Sequence, residues 1–324
     1  MLKLRTMFFF TLFAWMFCVI EACVAQNHIQ ANGTQLVLKG VPQRLVGIRL
    51  ADDVWMGEKE LAPTLALLRQ TGFDVIAIGV DPNNEKFVSP FIKEAEKQGL
   101  RVALQWRLSL WSDLEMKESI QRWDEEMQLL QSPVLVAWDF LSDDIERIQP
   151  LIDYIKDKDT THLVGIVSDG LSNGLNETYD YEGCMSMLSD YFTLGLHPQK
   201  WLWTSGDRTY DALPNTYIKS SEYIESHKRL AEKHQKPLVI SSADYPRDRN
   251  LVDAGTPTNY RLSFFQFLLA QMKDMESPLA LVYLGEYKQH YNPQSLPEDL
   301  KIYTYPQDLD FLQKLGEAIK TLHN

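Results

Sequence analysis

The sequence predicts one (β/α)8 barrel over residues 26–324, and three observations carry that expectation. Short apolar runs of strand type alternate strictly with segments of helical spacing, and the runs number eight. Eight buried parallel strands with crossover helices can close on themselves into a single domain. No shift in composition and no internal repeat marks a second domain. A doubly wound open sheet is the alternative arrangement of the same elements. No Gly-rich phosphate turn follows an early strand, so neither that fold nor a nucleotide site gains support.

Residues 1–25 stand apart. Lys3 and Arg5 give a basic start, Met7 to Ile20 carries no charge, and Cys23-Val24-Ala25 offers small residues before Gln26. That order is the layout of a secretory signal peptide cut after Ala25, which predicts a secreted or periplasmic protein. An uncleaved anchor is disfavoured because the apolar run is shorter than the ~20 residues a span needs. A lipoprotein cut before Cys23 would instead leave the protein lipid-anchored to a membrane.

A short hairpin is expected next, with Gly33 and Gly40-Val41-Pro42 as turns around Gln35 to Lys39. The eight strands follow at Leu45–Arg49, Val75–Val80, Val102–Trp106, Val134–Phe140, Leu163–Val167, Phe192–His197, Leu238–Ile240 and Leu279–Leu284. Between them, Leu61, Leu65 and Leu68 share a helical face, as do Ile120, Trp123, Met127 and Leu130. Ile145, Ile148, Ile152 and Ile155 form another stripe, and Leu309, Leu312, Leu315, Ile319 and Leu322 the last. Gly72 and Gly99 stand where helix C-caps belong, just before the second and third strands. The segment Glu182 to Ser189 carries the faintest helical pattern.

Composition narrows the function. The chain is 45% hydrophobic and 23% charged, which excludes intrinsic disorder, collagen-like repeats and a polytopic membrane protein. A net charge of −12 repels phosphate backbones, so nucleic acid is not an expected partner. Three cysteines, at 18, 23 and 184, allow neither a disulfide framework nor a Cys-based metal site. His227, His234 and His290 lack ligand spacing, so no metal or cofactor is expected.

In such barrels the chemistry sits at the C-terminal ends of the strands. There the sequence gathers Arg49, Asp52, Asp53, Asp81, Arg107, Asp143, Asp144, His197, Ser242, Asp244 and Glu286. The same rim collects Trp55, Trp106, Trp111, Trp138, Trp201 and Trp203. Carboxylates beside flat aromatic faces suit a carbohydrate cleft, with acids for the glycosidic bond and rings for sugar faces.

The run Asn32-Gly33-Thr34 … Leu45-Val46-Gly47-Ile48-Arg49 resembles the entry to the retaining (β/α)8 glycoside hydrolases of the family 5 type. Gly99-Leu100-Arg101-Val102-Ala103-Leu104 is similar to that clan's third strand. Trp138-Asp139-Phe140-Leu141-Ser142-Asp143 is similar to its fourth-strand signature, which ends in Asn-Glu with the Glu as general acid/base. Lys236-Pro237-Leu238-Val239-Ile240-Ser241-Ser242 is similar to the seventh-strand run that ends in the nucleophilic Glu. The resemblance implies a hairpin closing the barrel floor, an oligo- or polysaccharide substrate, and acid-assisted glycosidic hydrolysis.

The departures fall on the catalytic positions. Ser142-Asp143 replaces the Asn-Glu dyad, and Ser242 stands at the nucleophile position. Asp for Glu shortens the side chain by about 1.5 Å, one methylene, and retaining chemistry wants carboxyls ~5 to 5.5 Å apart. A serine needs a base to become a nucleophile, and no histidine lies near Ser242 in sequence. Asp244, two residues on and on the same face of an extended strand, and Glu286 at the eighth strand's end are candidates for the second carboxylate. The pair Asp143-Asp144 also resembles the adjacent aspartates of substrate-assisted N-acetylhexosaminidases, and Asp144 equally suits an N-cap of the helix starting at Ile145. Arg49, Trp106, Trp138, His197, Trp201, Trp203 and Ser242 are the candidate substrate contacts. Two function classes stay open: an exported glycoside hydrolase with an altered acid set, and a non-catalytic barrel that binds glycan or a partner.

Overall fold

The computed structural model describes residues 27–51, 58–141, 145–167, 181–204, 209–292 and 302–323. Residues 1–26, Asp52, Asp53, Trp55, Ser142, Asp143 and Asp144 lie outside the described residues. The chain begins with a small antiparallel sheet, β1 (Ile29–Asn32), β2 (Gln35–Leu38) and β3 (Val41–Pro42). Eight parallel strands follow: β4 (Leu45–Leu50), β5 (Val75–Val80), β6 (Arg101–Arg107), β7 (Leu135–Leu141), β8 (Leu163–Ile166), β9 (Phe192–Leu196), β10 (Leu238–Ala243) and β11 (Leu279–Tyr287). Each of the eight expected strands is present within a few residues of its expected bounds. A two-residue strand, β12 (Tyr303–Thr304), pairs with the end of β11.

The sheet runs β8-β7-β6-β5-β4-β11-β10-β9, so first and last barrel strands pair and the seam falls between β8 and β9. Side chains bridge that seam. The Val164 N–H donates to Asp190 Oδ2 at 2.7 Å, the Asp190 N–H donates to Val164 O at 2.8 Å, and Thr193 Oγ1 donates to Ile166 O at 2.5 Å. These bonds satisfy strand-edge groups that the ladder leaves unpaired, as buried backbone requires.

The helices between strands are α1 (Glu58–Thr71), α2 (Val88–Lys97), α3 (Asp113–Met127), α4 (Ile145–Lys158), α5 (Tyr181–Met187), α6 (Thr209–Lys233), α7 (Asn259–Gln271) and α8 (Leu309–His323). α5 has seven residues, in keeping with its faint pattern. α3 opens with a capping box, in which Ser112 Oγ accepts the Glu115 N–H and Glu115 Oε2 accepts the Ser112 N–H. Gly72 and Gly99 take positive φ at the helix ends where the sequence places caps. Along α8, Leu312, Leu315 and Ile319 are buried with Phe311, whereas Leu309, expected on the same stripe, is exposed in the first turn.

Two apolar layers result. One lies between strands and helices. The other fills the lower barrel, where Ile29 and Leu36 of the N-terminal sheet pack with Leu45, Val75, Ala103, Val136 and Leu281. The small sheet therefore closes the floor and leaves the opposite, C-terminal end as the mouth. Among the described residues no helix is long and apolar enough to cross a membrane.

Candidate active site

Strand alternation decides which side chains reach the barrel interior. On β6, Val102, Leu104 and Trp106 pack toward the helices, which leaves Gln105 and Arg107 inside. On β7, Trp138 and Phe140 pack toward the helices and Asp139 points inward. Asp139 is buried at the barrel centre, where it accepts hydrogen bonds from Tyr191 Oη to Oδ1 and from Gln105 Nε2 to Oδ2, the latter at 3.4 Å. Gly165 on β8 makes room for this group: a Cβ there would stand 2.3 Å from Tyr191 Oη and 2.4 Å from Asp139 Oδ1. Burial raises the Asp139 carboxyl to a pKa of about 6, against the opposing effects of Tyr191, Gln105 and the nearby Arg49 charge. Burial, with Asp139 next in effect, pushes the Tyr191 phenol well above its ordinary value.

Two irregularities re-aim the strand ends. Between Tyr283 and Glu286, β11 has one residue more than β4, which spans Gly47 to Arg49, and Gly285 takes φ 79° there. The extra residue inverts the alternation, so Glu286 stands inward opposite Arg49. Their ion pair joins Arg49 Nη1 and Glu286 Oε1 at 3.2 Å, with side chains 12% and 22% exposed. Arg107 shares this corner: burial first, and Arg49 second, lower its pKa, while Glu286 opposes both.

β10 has the same irregularity. The four residues from Ile240 to Ala243 oppose the three from Val282 to Leu284 on β11. Val239 lies in the interior cluster and Ala243 on the helix side, so the bulge brings Ser242, and Asp244 after it, to the mouth. On the neighbouring strand, Leu194 and Leu196 face the helices, which sends His197 to the same mouth. The three side chains meet there. His197 Nδ1 donates to Asp244 Oδ2, and Ser242 Oγ lies 3.0 Å from His197 Nε2. A carboxylate can only accept, so Nδ1 carries the proton and Nε2 is left to accept from the Ser242 hydroxyl. Behind Asp244 lies the buried Arg261, whose pKa burial lowers to about 9, with Asp244 and Asp308 among the charges acting against that. Arg261 is fixed by Nε donating to Tyr245 O at 2.7 Å and Nη1 to Tyr303 O at 2.8 Å.

The aromatic candidates divide. Trp201 sits edge-on to His197, with ring centroids 5.9 Å apart, and against Trp203 at 4.8 Å. Both indoles are half-buried and pack against Tyr223 of α6, with Lys219 Nζ over the Trp203 ring. Trp106 and Trp138 are not substrate contacts: both are 0% exposed, on the helix side of the sheet. They pack 6.5 Å apart, Trp106 against Trp111 and Trp123, and Trp138 Nε1 donates to Asp159 Oδ2 at 2.8 Å. Their strand parity opposes that of Gln105 and Asp139, which occupy the interior instead. Asp143 and Asp144 lie outside the described residues, so the described mouth holds Arg49, Glu286, His197, Ser242 and Asp244 of the expected set.

Three features were not expected from the sequence. The base beside Ser242 comes from the adjacent strand, 45 positions away. The ends of the sixth and seventh barrel strands are neighbours in any such barrel, and that adjacency is the signal that could have paired His197 with Ser242. Asp139 enters the sequence reading only within the fourth-strand signature and without a role of its own, although an acid inside an apolar run is itself a sign of a buried polar cluster. Asp244, expected as a free second carboxylate, is bonded to His197. Among the described residues no His, Cys, Asp and Glu side chains gather as metal ligands.

Residues 133–291 match the family model described as GH family 5 beta-mannosidase-like. No curated protein matches the sequence. Among solved structures, the glycoside hydrolase family 5 mannosidase from Rhizomucor miehei is similar at 12% identity with a TM-score of 0.67, over 92% of this chain and 99% of that one. A mutant of that mannosidase in complex with mannosyl-fructose aligns with a TM-score of 0.65 at 13% identity, over 93% and 100% of the two chains. The endo-β-1,4-mannanase from Thermotoga petrophila aligns at 13% identity with a TM-score of 0.62, over 86% of this chain and 77% of that one. The chain thus resembles family 5 (β/α)8 glycoside hydrolases in fold.

Proposed function

We propose that this chain is an exported, glycan-directed barrel that hydrolyses a glycosidic bond of an oligo- or polysaccharide, β-mannosides being the first class to test. One observation carries the reading: Glu286 is brought by a strand bulge into the mouth, held by Arg49 and partly exposed. Asp139 is buried below it and Asp244 is bonded to His197, so Glu286 is the described carboxylate best disposed toward a ligand. Asp143, two residues beyond β7 in the sequence, is the general acid in this reading. It protonates the leaving oxygen, and Glu286 acts as nucleophile or as base toward water. Trp201, edge-on to His197 at the mouth, is a half-buried aromatic of the kind that packs on sugar rings. The family match and the mannosyl-fructose complex of a similar barrel support the ligand class.

A second reading, a barrel that binds glycan without cleaving it, is favoured by Ser242 at the position where the resemblance implies a nucleophilic Glu. Product analysis of manno-oligosaccharide digests separates the two. Hydrolysis that falls ~10²- to 10⁴-fold in Asp143→Asn, and is lost in Glu286→Gln, supports the enzyme. Saturable binding with no cleavage by wild type supports the binder, and cleavage confined to N-acetylated substrates and dependent on Asp144 points to substrate assistance.

A further inference from the structure

We infer that Ser242 is an acyl-accepting nucleophile activated by His197 and Asp244, and that its substrate is an ester of a small acid with a sugar hydroxyl. The sugar part of this inference rests on the glycan reading above; the nucleophile does not. The geometry is that of a serine hydrolase relay: Ser242 Oγ on His197 Nε2 at 3.0 Å and His197 Nδ1–H on Asp244 Oδ2. Each ring nitrogen meets the partner its role demands, and the bulge in β10 is what turns Ser242 and Asp244 toward the same imidazole. The His197 and Asp244 side chains are 15% and 13% exposed and Ser242 is 5% exposed, so the relay lies just beneath the surface of the mouth.

In the first step Ser242 Oγ attacks the acyl carbon while His197 Nε2 takes the hydroxyl proton. The bond between that carbon and the sugar oxygen then breaks, and Nε2 returns the proton to the departing sugar hydroxyl. Water attacks the acyl-serine with His197 again as base, which releases the carboxylic acid and restores Ser242. Asp244 holds the tautomer and balances the imidazolium charge throughout.

The test uses the mature full-length protein. A fluorophosphonate probe followed by peptide mapping should place one adduct on Ser242, and 4-nitrophenyl acetate should show a burst of one equivalent per chain. Acetate release from an O-acetylated manno-oligosaccharide should fall ~10³-fold or more in Ser242→Ala and in Asp244→Asn, the latter through the wrong tautomer. Glycan binding is followed separately by calorimetry. An adduct on Ser242 without glycan binding keeps the nucleophile and removes the sugar ester. Glycan binding without an adduct overturns the inference and leaves the glycan reading standing. Peptide mapping of wild type needs no variant to fold, so an unlabelled Ser242 in folded protein is decisive against it.

Discussion

Substituting Asp139 by Asn should stabilise the barrel at neutral pH. The buried carboxyl has a pKa of about 6 in the folded chain, against an ordinary value of 3.8. A raised carboxyl pKa means that the folded state binds this proton more tightly than the unfolded state. Its contribution to stability is present below pH ~4 and is lost as pH rises through ~6. About two pK units correspond to ~3 kcal/mol of cost when the group ionises inside the barrel. Asparagine has the shape of the protonated acid without the charge. Its amide can donate to Gln105 Oε1, which is buried without a partner, once the Gln105 amide is turned; the two amide orientations are nearly indistinguishable in shape. Tyr191 can still donate to the remaining oxygen. Thermal melts of wild type and Asp139→Asn at pH 4.5 and 7.5 form a four-way comparison in which other titrating groups cancel. The variant should melt within ~2 °C of wild type at pH 4.5 and ~5 °C or more higher at pH 7.5, taking about 2 °C per kcal/mol for a domain of this size. Equal destabilisation at both pH values would show that the carboxylate is ionised and held by Arg49, and that burial does not dominate its titration.

Trp106→Ala should lower stability by ~3–5 kcal/mol in chemical denaturation, as for a large core aromatic, and leave the glycan affinity of the surviving folded fraction unchanged. Gly165→Ala should also destabilise, by ~1–3 kcal/mol of overpacking, because its methyl would meet Tyr191 and Asp139; Tyr191→Phe in the same chain should recover part of that loss in a double-mutant cycle. N-terminal sequencing of exported material should begin at Gln26, and lipid on Cys23 or an intact Met1 would contradict the signal-peptide reading.

Barrel strands were legible because each is a run of apolar residues buried on both faces, such as Val75–Val80, and such runs stand out against helical spacing. The direction of each side chain was less legible. Trp106 and Trp138 stand beside rim residues in sequence, yet one step of strand parity separates the interior from the helix layer. Parity alone would also have misplaced Glu286, Ser242 and Asp244, since bulges at Gly285 and at Ser241-Ser242 add one residue each. Glycine and serine pairs occur in many strands without a bulge, so the sequence carries no sufficient mark of these. The His197–Ser242 contact joins two strands through a long helix, and no local spacing encodes it. By contrast, the expectation that Asp244 shares a face with Ser242 held, since the bulge precedes both.

The most direct test of the glycan-directed mouth is calorimetric titration of manno-oligosaccharides into the Glu286→Gln protein, with Trp201→Ala added in a second sample. Silencing cleavage lets binding be read alone. The structure leads to one saturable site per chain, weakened at least several-fold when the Trp201 indole beside His197 is removed. No binding of β-mannosides or of any oligosaccharide on a glycan array, or equal affinity with and without Trp201, would contradict it.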